Sequence, residues 1–113
     1  MRGLIIFLHG AGDTGDNFDD TLYSTKLPSF DAKSFMSILK DMNYDILTPT
    51  AKLRRYKPAY NDEMNVWYNR SLNFFDLGRD DIEYVDDINE SINQVSLLHN
   101  YYLQYITYTT QFY

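Results

Sequence analysis

The residues most able to do chemistry lie between His9 and Gly15, which read His-Gly-Ala-Gly-Asp-Thr-Gly directly after the apolar run Leu4 to Leu8. Gly10, Gly12 and Gly15 spell GxGxxG, and Gly10 with Gly15 also carries the outer spacing of a phosphate-binding loop. A dinucleotide turn aims backbone N–H groups at a pyrophosphate and needs an acid near the end of the next strand for the ribose. Here Asp13 and Asp16 would stand among the phosphates and repel them, and the next strand ends at Thr48-Pro49 with no acid in place. A phosphate loop needs Lys-Ser/Thr where this chain has Asp16-Asn17. Neither nucleotide reading fits.

The histidine points elsewhere. A strand that ends in His-Gly and runs into a turn of small residues can offer a backbone N–H to the oxyanion of an acyl-transfer intermediate. Glycines permit the close approach, and no side chain then shields the donor. In this reading His9 is a structural residue of the turn rather than a proton carrier.

The flanking pattern predicts the elements that position the turn. Leu4–Leu8 is a continuous apolar run of the kind buried on both faces of a sheet. Asp16 is the expected cap of a short helix reaching about Tyr23, and Asp31 the expected cap of a second. Phe35, Ile38, Leu39 and Met42 recur at helical spacing in that second helix, and Asn43 offers its stop. Tyr44–Thr50 reads as a strand closed by Pro49. Strand, helix, strand at this spacing is a βαβ unit with a parallel pair, so the fold class is α/β. Thr50–Arg70 shows no period and reads as a long irregular connection. Asp80 and Asp81 open a third helix, with Ile82, Val85, Ile88, Ile92 and Val95 as its apolar stripe and Asp86, Asp87 and Glu90 on its wet side.

Two motifs in this order and spacing carry a resemblance. The stretch Ile5–Phe18, IIFLHGAGDTGDNF, resembles the acyl-protein thioesterase and lysophospholipase-like carboxylesterases, α/β-hydrolases whose loop reads LHGxGDxG. The resemblance continues through Pro49-Thr50-Ala51 to Asn65-Val66-Trp67-Tyr68, which looks closest to the lysophospholipase-like branch. It runs from about Leu4 to Val95. Two positions depart from the family: Lys52 replaces a proline, and Asn69 stands where an acid often follows the aromatic pair. The resemblance implies the N-terminal half of a doubly wound parallel sheet. It further implies that Ala11 supplies one oxyanion N–H, that His9, Gly10, Gly12 and Asp13 shape the turn, and that Trp67 lies near the acyl or leaving group. The family reaction is hydrolysis of a carboxylic ester or a palmitoyl-type S-acyl thioester by a Ser-His-Asp triad. It needs no cofactor and no metal, and its substrates are acylated proteins or small esters.

The nucleophile is not in this chain. None of the seven serines is flanked as Gly-x-Ser-x-Gly, and the only histidines are His9 and His99. The expected organisation is therefore residues 1–98 as the N-terminal part of a hydrolase domain and residues 99–113 as a divergent tail. That tail holds five of the eleven tyrosines among strong strand formers. It reads as a strand, an interaction segment, or sequence from an alternative exon or reading-frame change. Two alternatives stay open for the whole: a non-catalytic acyl- or partner-binding protein, and a truncated product with no independent function.

Composition narrows the partners. The 113 residues suit one small domain, and 10 basic against 16 acidic residues argue against nucleic acid and anionic membrane. No cysteine is present, so disulfides and thiolate metal sites are excluded. The run LIIFL is too short for a secretion signal, and nothing approaches the roughly 18 apolar residues of a membrane helix. A cytoplasmic chain that self-associates through exposed strand edges is expected.

Overall fold

In the computed structural model, which describes residues 3–70 and 84–110, strand β1 (Gly3–Ile6) pairs in parallel with β4 (Tyr44–Leu47). The register runs from Gly3 opposite Tyr44 to Ile6 opposite Leu47. Between them lie α1 (Gly15–Ser24), a short antiparallel pair of β2 (Lys26–Leu27) with β3 (Lys33–Ser34), and α2 (Phe35–Asp41). The chain is thus mixed α/β, with the parallel pair that the sequence predicts. Beyond β4, strands β5 (Leu53–Tyr56) and β6 (Asp62–Asn65) form a two-stranded ribbon. The last element is α3, Val85–Thr110.

The described residues divide into two units. The first holds the chain up to Arg54 together with Glu63–Val66. Its packing centres on Phe7, whose ring meets Phe18 of α1 and Phe35 of α2 edge-on at centroid distances of 6.0 and 5.9 Å. Ile5 and Ile46, paired across the strands, share the Phe7 face because side chains alternate along a strand. The run Leu4–Leu8 is only half-buried up to Phe7, and Leu8 is exposed, so it is not the doubly covered strand the sequence predicts.

Both helix caps differ from expectation. Thr14, not Asp16, caps α1: it has extended backbone, and its hydroxyl accepts from the Asn17 N–H at 3.1 Å. Ser34, not Asp31, caps α2 and accepts from the Ser37 N–H at 3.1 Å. Asp31 and Ala32 both have positive φ (56° and 57°) and turn the chain between β2 and β3, whereas a cap needs extended backbone. Asn43 does end α2 in the left-handed region, at φ 70°.

The second unit contains Arg55–Asp62 and the chain from Trp67 onward. The connection expected to be irregular is here a hairpin tip, a 3₁₀ turn at Lys57–Ala59 followed by left-handed Tyr60 and Asn61. Asn69 clips that tip. Its Oδ1 accepts from the Lys57 N–H at 3.0 Å, and its Nδ2 donates to the Arg55 carbonyl at 2.8 Å. A carboxylate could not donate, which gives the departure from an acid at this position a structural reason.

Helix α3 differs from expectation in face and in length. Val85 and Ile92 are exposed, while Ile88, Ser91, Val95, Leu98 and Tyr102 line the buried and half-buried face. Polar handholds set this orientation. Asp87 accepts from the Asn69 N–H at 3.0 Å, and one turn later the Ser91 hydroxyl donates to the Trp67 carbonyl. Asp87, expected on the wet side, is half-buried for that reason. The helix continues past residue 98 to Thr110, so the tail through that point is helical and not a strand. A growing helix adds a hydrogen bond per residue, and the few tenths of a kcal/mol by which Tyr and Thr disfavour it do not stop it. Asp80, Asp81 and Ile82 lie outside the described residues.

Candidate active site

Beyond β1 the chain makes a tight turn. The Gly10 carbonyl accepts from the Asp13 N–H at 3.2 Å, and Gly12, third in the turn, has φ +84°. With Ala11 at negative φ in second place, this is a type II turn, in which the third position favours glycine. The turn is anchored from three sides within the first unit. Gly12 N–H donates to the Asn65 carbonyl at 3.0 Å, Thr14 N–H to Asp13 Oδ1 at 2.8 Å, and Gly15 N–H to Thr50 Oγ1 at 2.9 Å.

His9 is 3% exposed. Its Nδ1 lies 2.7 Å from the Gly10 carbonyl and so carries the proton, because a carbonyl only accepts. Nε2 accepts from the N–H of buried Ala51 at 3.0 Å. Both ring nitrogens therefore serve the fold, as the structural reading of His9 expects. Asn65 completes the arrangement by donating from Nδ2 to the Ala51 carbonyl at 2.9 Å. The His-Gly turn, the Pro-Thr-Ala stretch and the Asn-Val stretch thus form one hydrogen-bonded network.

The N–H groups of Gly12, Asp13, Thr14 and Gly15 are all engaged, whereas those of Gly10 and Ala11, both exposed, make no hydrogen bond among the described residues. A phosphate needs a cradle of several N–H groups, and this loop has already turned most of its donors inward. An oxyanion needs one or two. The same internal bonding occupies Asp13, whose carboxylate accepts from the Thr14 N–H within the turn. Millimolar ATP or NAD should therefore leave the melting temperature unchanged. A site filled at a hundredfold excess over its dissociation constant would add about 2.7 kcal/mol, so a saturable shift with either nucleotide would overturn the assignment.

Of the residues singled out from sequence, His9, Gly10, Ala11, Gly12 and Asp13 are brought together in the first unit. Trp67 belongs to the second, where it is half-buried and its carbonyl accepts from Ser91. Sequence reasoning missed Thr50, Ala51 and Asn65 as supports of the turn. Their only signal was membership of the two stretches that carry the resemblance, and nothing local announces a hydrogen bond across 35 residues of chain, as between Gly15 and Thr50.

No protein-family model matches the sequence, and no curated protein does. Among solved structures, a crystal structure of Arabidopsis thaliana SOBER1 carrying a leucine-to-alanine substitution is similar at 20% identity and a TM-score of 0.48. The similarity covers 86% of this chain and 43% of that one, so the chain spans less than half the length of that protein. No helix among the described residues is long and apolar enough to cross a membrane.

Proposed function

We propose that this chain is the N-terminal part of a cytoplasmic serine hydrolase of the acyl-protein thioesterase and lysophospholipase-like type, acting in the complete domain on carboxylic esters or S-acyl thioesters. One observation carries the reading: the Ala11 N–H, which bonds to nothing among the described residues, at the tip of a hydrogen-bonded turn past the carboxyl end of β1, a strand of a parallel pair. That edge is where α/β folds bind ligands. Ala11 contributes one donor to the developing oxyanion, and His9, Gly10, Gly12 and Asp13 hold its direction. Trp67 takes the acyl or leaving-group side, an assignment that rests on the sequence resemblance alone. No metal or cofactor has a part in this chemistry.

Titration with a short alkylphosphonate, whose charged oxygens stand in for the tetrahedral oxyanion, tests the assignment. In an amide nuclear magnetic resonance spectrum the Ala11 signal should move saturably at millimolar ligand, with those of Gly12 and Thr14 moving less. An Ala11 signal indifferent to phosphonate would remove the basis of the proposal.

Self-association belongs to the same reading. Among the described residues each strand of the parallel pair has a strand neighbour on one side only, and just Met36, Ala51 and Val66 are buried apolar residues. Parallel sheets are stable when covered on both faces, and open edges invite pairing with another chain. Sedimentation should show species larger than the 13.4 kDa monomer. A single monomeric species across the micromolar range would rule this out.

A further inference from the structure

We propose that Asn65 is the positioning residue of the turn, fixing the Ala11–Gly12 peptide that follows the Ala11 N–H without touching a substrate. The proposal rests on the oxyanion reading for its purpose, but its geometry stands alone. Asn65 meets the turn and its support at once. Its backbone carbonyl receives the Gly12 N–H at 3.0 Å, and its side-chain Nδ2 donates to the Ala51 carbonyl at 2.9 Å. The same Ala51 peptide segment is held from its other end by His9 Nε2, at 3.0 Å from the Ala51 N–H. Ala51 is 2% exposed, so neither of its polar groups can turn to water instead.

The consequence is a closed circuit. His9 precedes the turn, Gly12 lies within it, and both are tied to Ala51, His9 directly and Gly12 through Asn65. In a type II turn the Ala11–Gly12 peptide is the unit that flips most readily between turn types, and such a flip would reverse the Ala11 carbonyl and the Gly12 N–H. The Gly12 N–H belongs to that peptide. Holding it on the Asn65 carbonyl blocks the flip, and the Asn65 side chain keeps that carbonyl in place. The neighbouring backbone adds support: Val66 N–H donates to the Lys52 carbonyl at 3.2 Å, and Arg54 Nε donates to the Val66 carbonyl at 3.2 Å. Only an amide at 65 suits this role. Aspartate matches its shape but sets an acceptor against the Ala51 carbonyl, and serine is too short to reach it.

The test is residue-resolved amide hydrogen exchange on the full chain with Asn65→Asp, and with Asn65→Ser as the uncharged second variant. The Gly12 and Ala51 amides should exchange about tenfold faster in both variants, the effect of losing the part-buried hydrogen bond from the Asn65 side chain. Phe7, whose N–H is bonded to the Leu47 carbonyl at 2.9 Å, and Met42, bonded to the Ile38 carbonyl at 3.0 Å, should keep their wild-type rates. A general structural role would accelerate all four together, and that outcome overturns the proposal. Unchanged exchange at Gly12 in both variants overturns it as well. If Asn65→Asp loses its cooperative fold, Asn65→Ser decides. The phosphonate response of wild-type Ala11 is read separately, so failure of the oxyanion reading and failure of the clamp give different results.

Discussion

The purified 113-residue chain is expected to hydrolyse no ester or thioester above background. Loss of a nucleophilic serine costs a serine hydrolase on the order of 10⁶ in turnover, and the residual acceleration of about 10³–10⁴ comes from an intact oxyanion hole and intact substrate binding. Under the proposed function the hole itself is partial. In the proposed mechanism its second N–H belongs to the residue after the nucleophile, and one missing donor costs about 10²–10³. His9, the one histidine at the turn, has both ring nitrogens engaged, with Gly10 and with Ala51, and so cannot activate a serine. Two assays check this: turnover of a short-chain chromogenic ester, and labelling by a serine-directed fluorophosphonate. Stoichiometric labelling, or turnover that disappears on Ser→Ala change at any one of the seven serines, would contradict it. A chain that binds an acyl probe yet never turns it over would instead favour the non-catalytic acyl-binding alternative.

The second large effect falls on Gly15. Helix propensity favours alanine over glycine by up to about 1 kcal/mol, so on that ground alone Gly15→Ala would stabilise α1. Packing reverses the sign. A Cβ at Gly15 would collide with the Thr48 carbonyl oxygen and lie 3.0 Å from the Pro49 carbonyl carbon, both backbone atoms that no rotamer change can move. Relief requires α1 to shift away, which strains the Gly15 N–H bond to Thr50 and the Phe18 contact with Phe7. Overpacking usually costs about 1–3 kcal/mol, and a contact this short against backbone belongs at or above the upper end. With so few apolar residues fully buried, a loss of that size should abolish cooperative unfolding. Gly10→Ala is the control, since an added Cβ there meets nothing within 4 Å. Its urea midpoint should match wild type, while an unshifted midpoint for Gly15→Ala would show that the helix can yield.

This third glycine shows where sequence reading succeeds and where it stops. GxGxxG marks a tight turn, as the sequence reads, and Gly15 also admits the backbone just past β4, because both demands are steric and both select glycine. The ligand is another matter. It depends on which N–H groups remain after Asn65 and Thr50 take theirs, and those partners lie 53 and 35 residues from Gly12 and Gly15 in the chain. The parallel pair β1–β4 was readable from its apolar runs. The ribbon β5–β6 was not, since LRRY and DEMN lack the apolar alternation by which a half-buried strand is recognised. The caps differ from the sequence pattern because acids and hydroxyls crowd both helix starts. Backbone geometry chose Thr14 and Ser34 over the neighbouring aspartates. The stripe on α3 was misplaced for a related reason: Asp87 and Ser91, polar residues a hydrophobicity pattern ignores, hold that helix by its buried side.

The proposed oxyanion site depends on a single N–H, and Ala11→Pro removes it with little else. Proline is favoured at the second position of a type II turn, its ring matches the backbone there, and the Ala11 N–H it deletes bonds to nothing among the described residues. Turn stability should hold or rise by about 0.4–1 kcal/mol through the stiffer unfolded chain. The decisive measurement is alkylphosphonate affinity by resonance titration, wild type against Ala11→Pro, with the melting temperature of each recorded alongside. Affinity should fall at least about tenfold, the effect of one charge-assisted hydrogen bond, in a variant that melts no lower than wild type. Equal affinity in the two proteins would mean that the turn does not hold an oxyanion through Ala11.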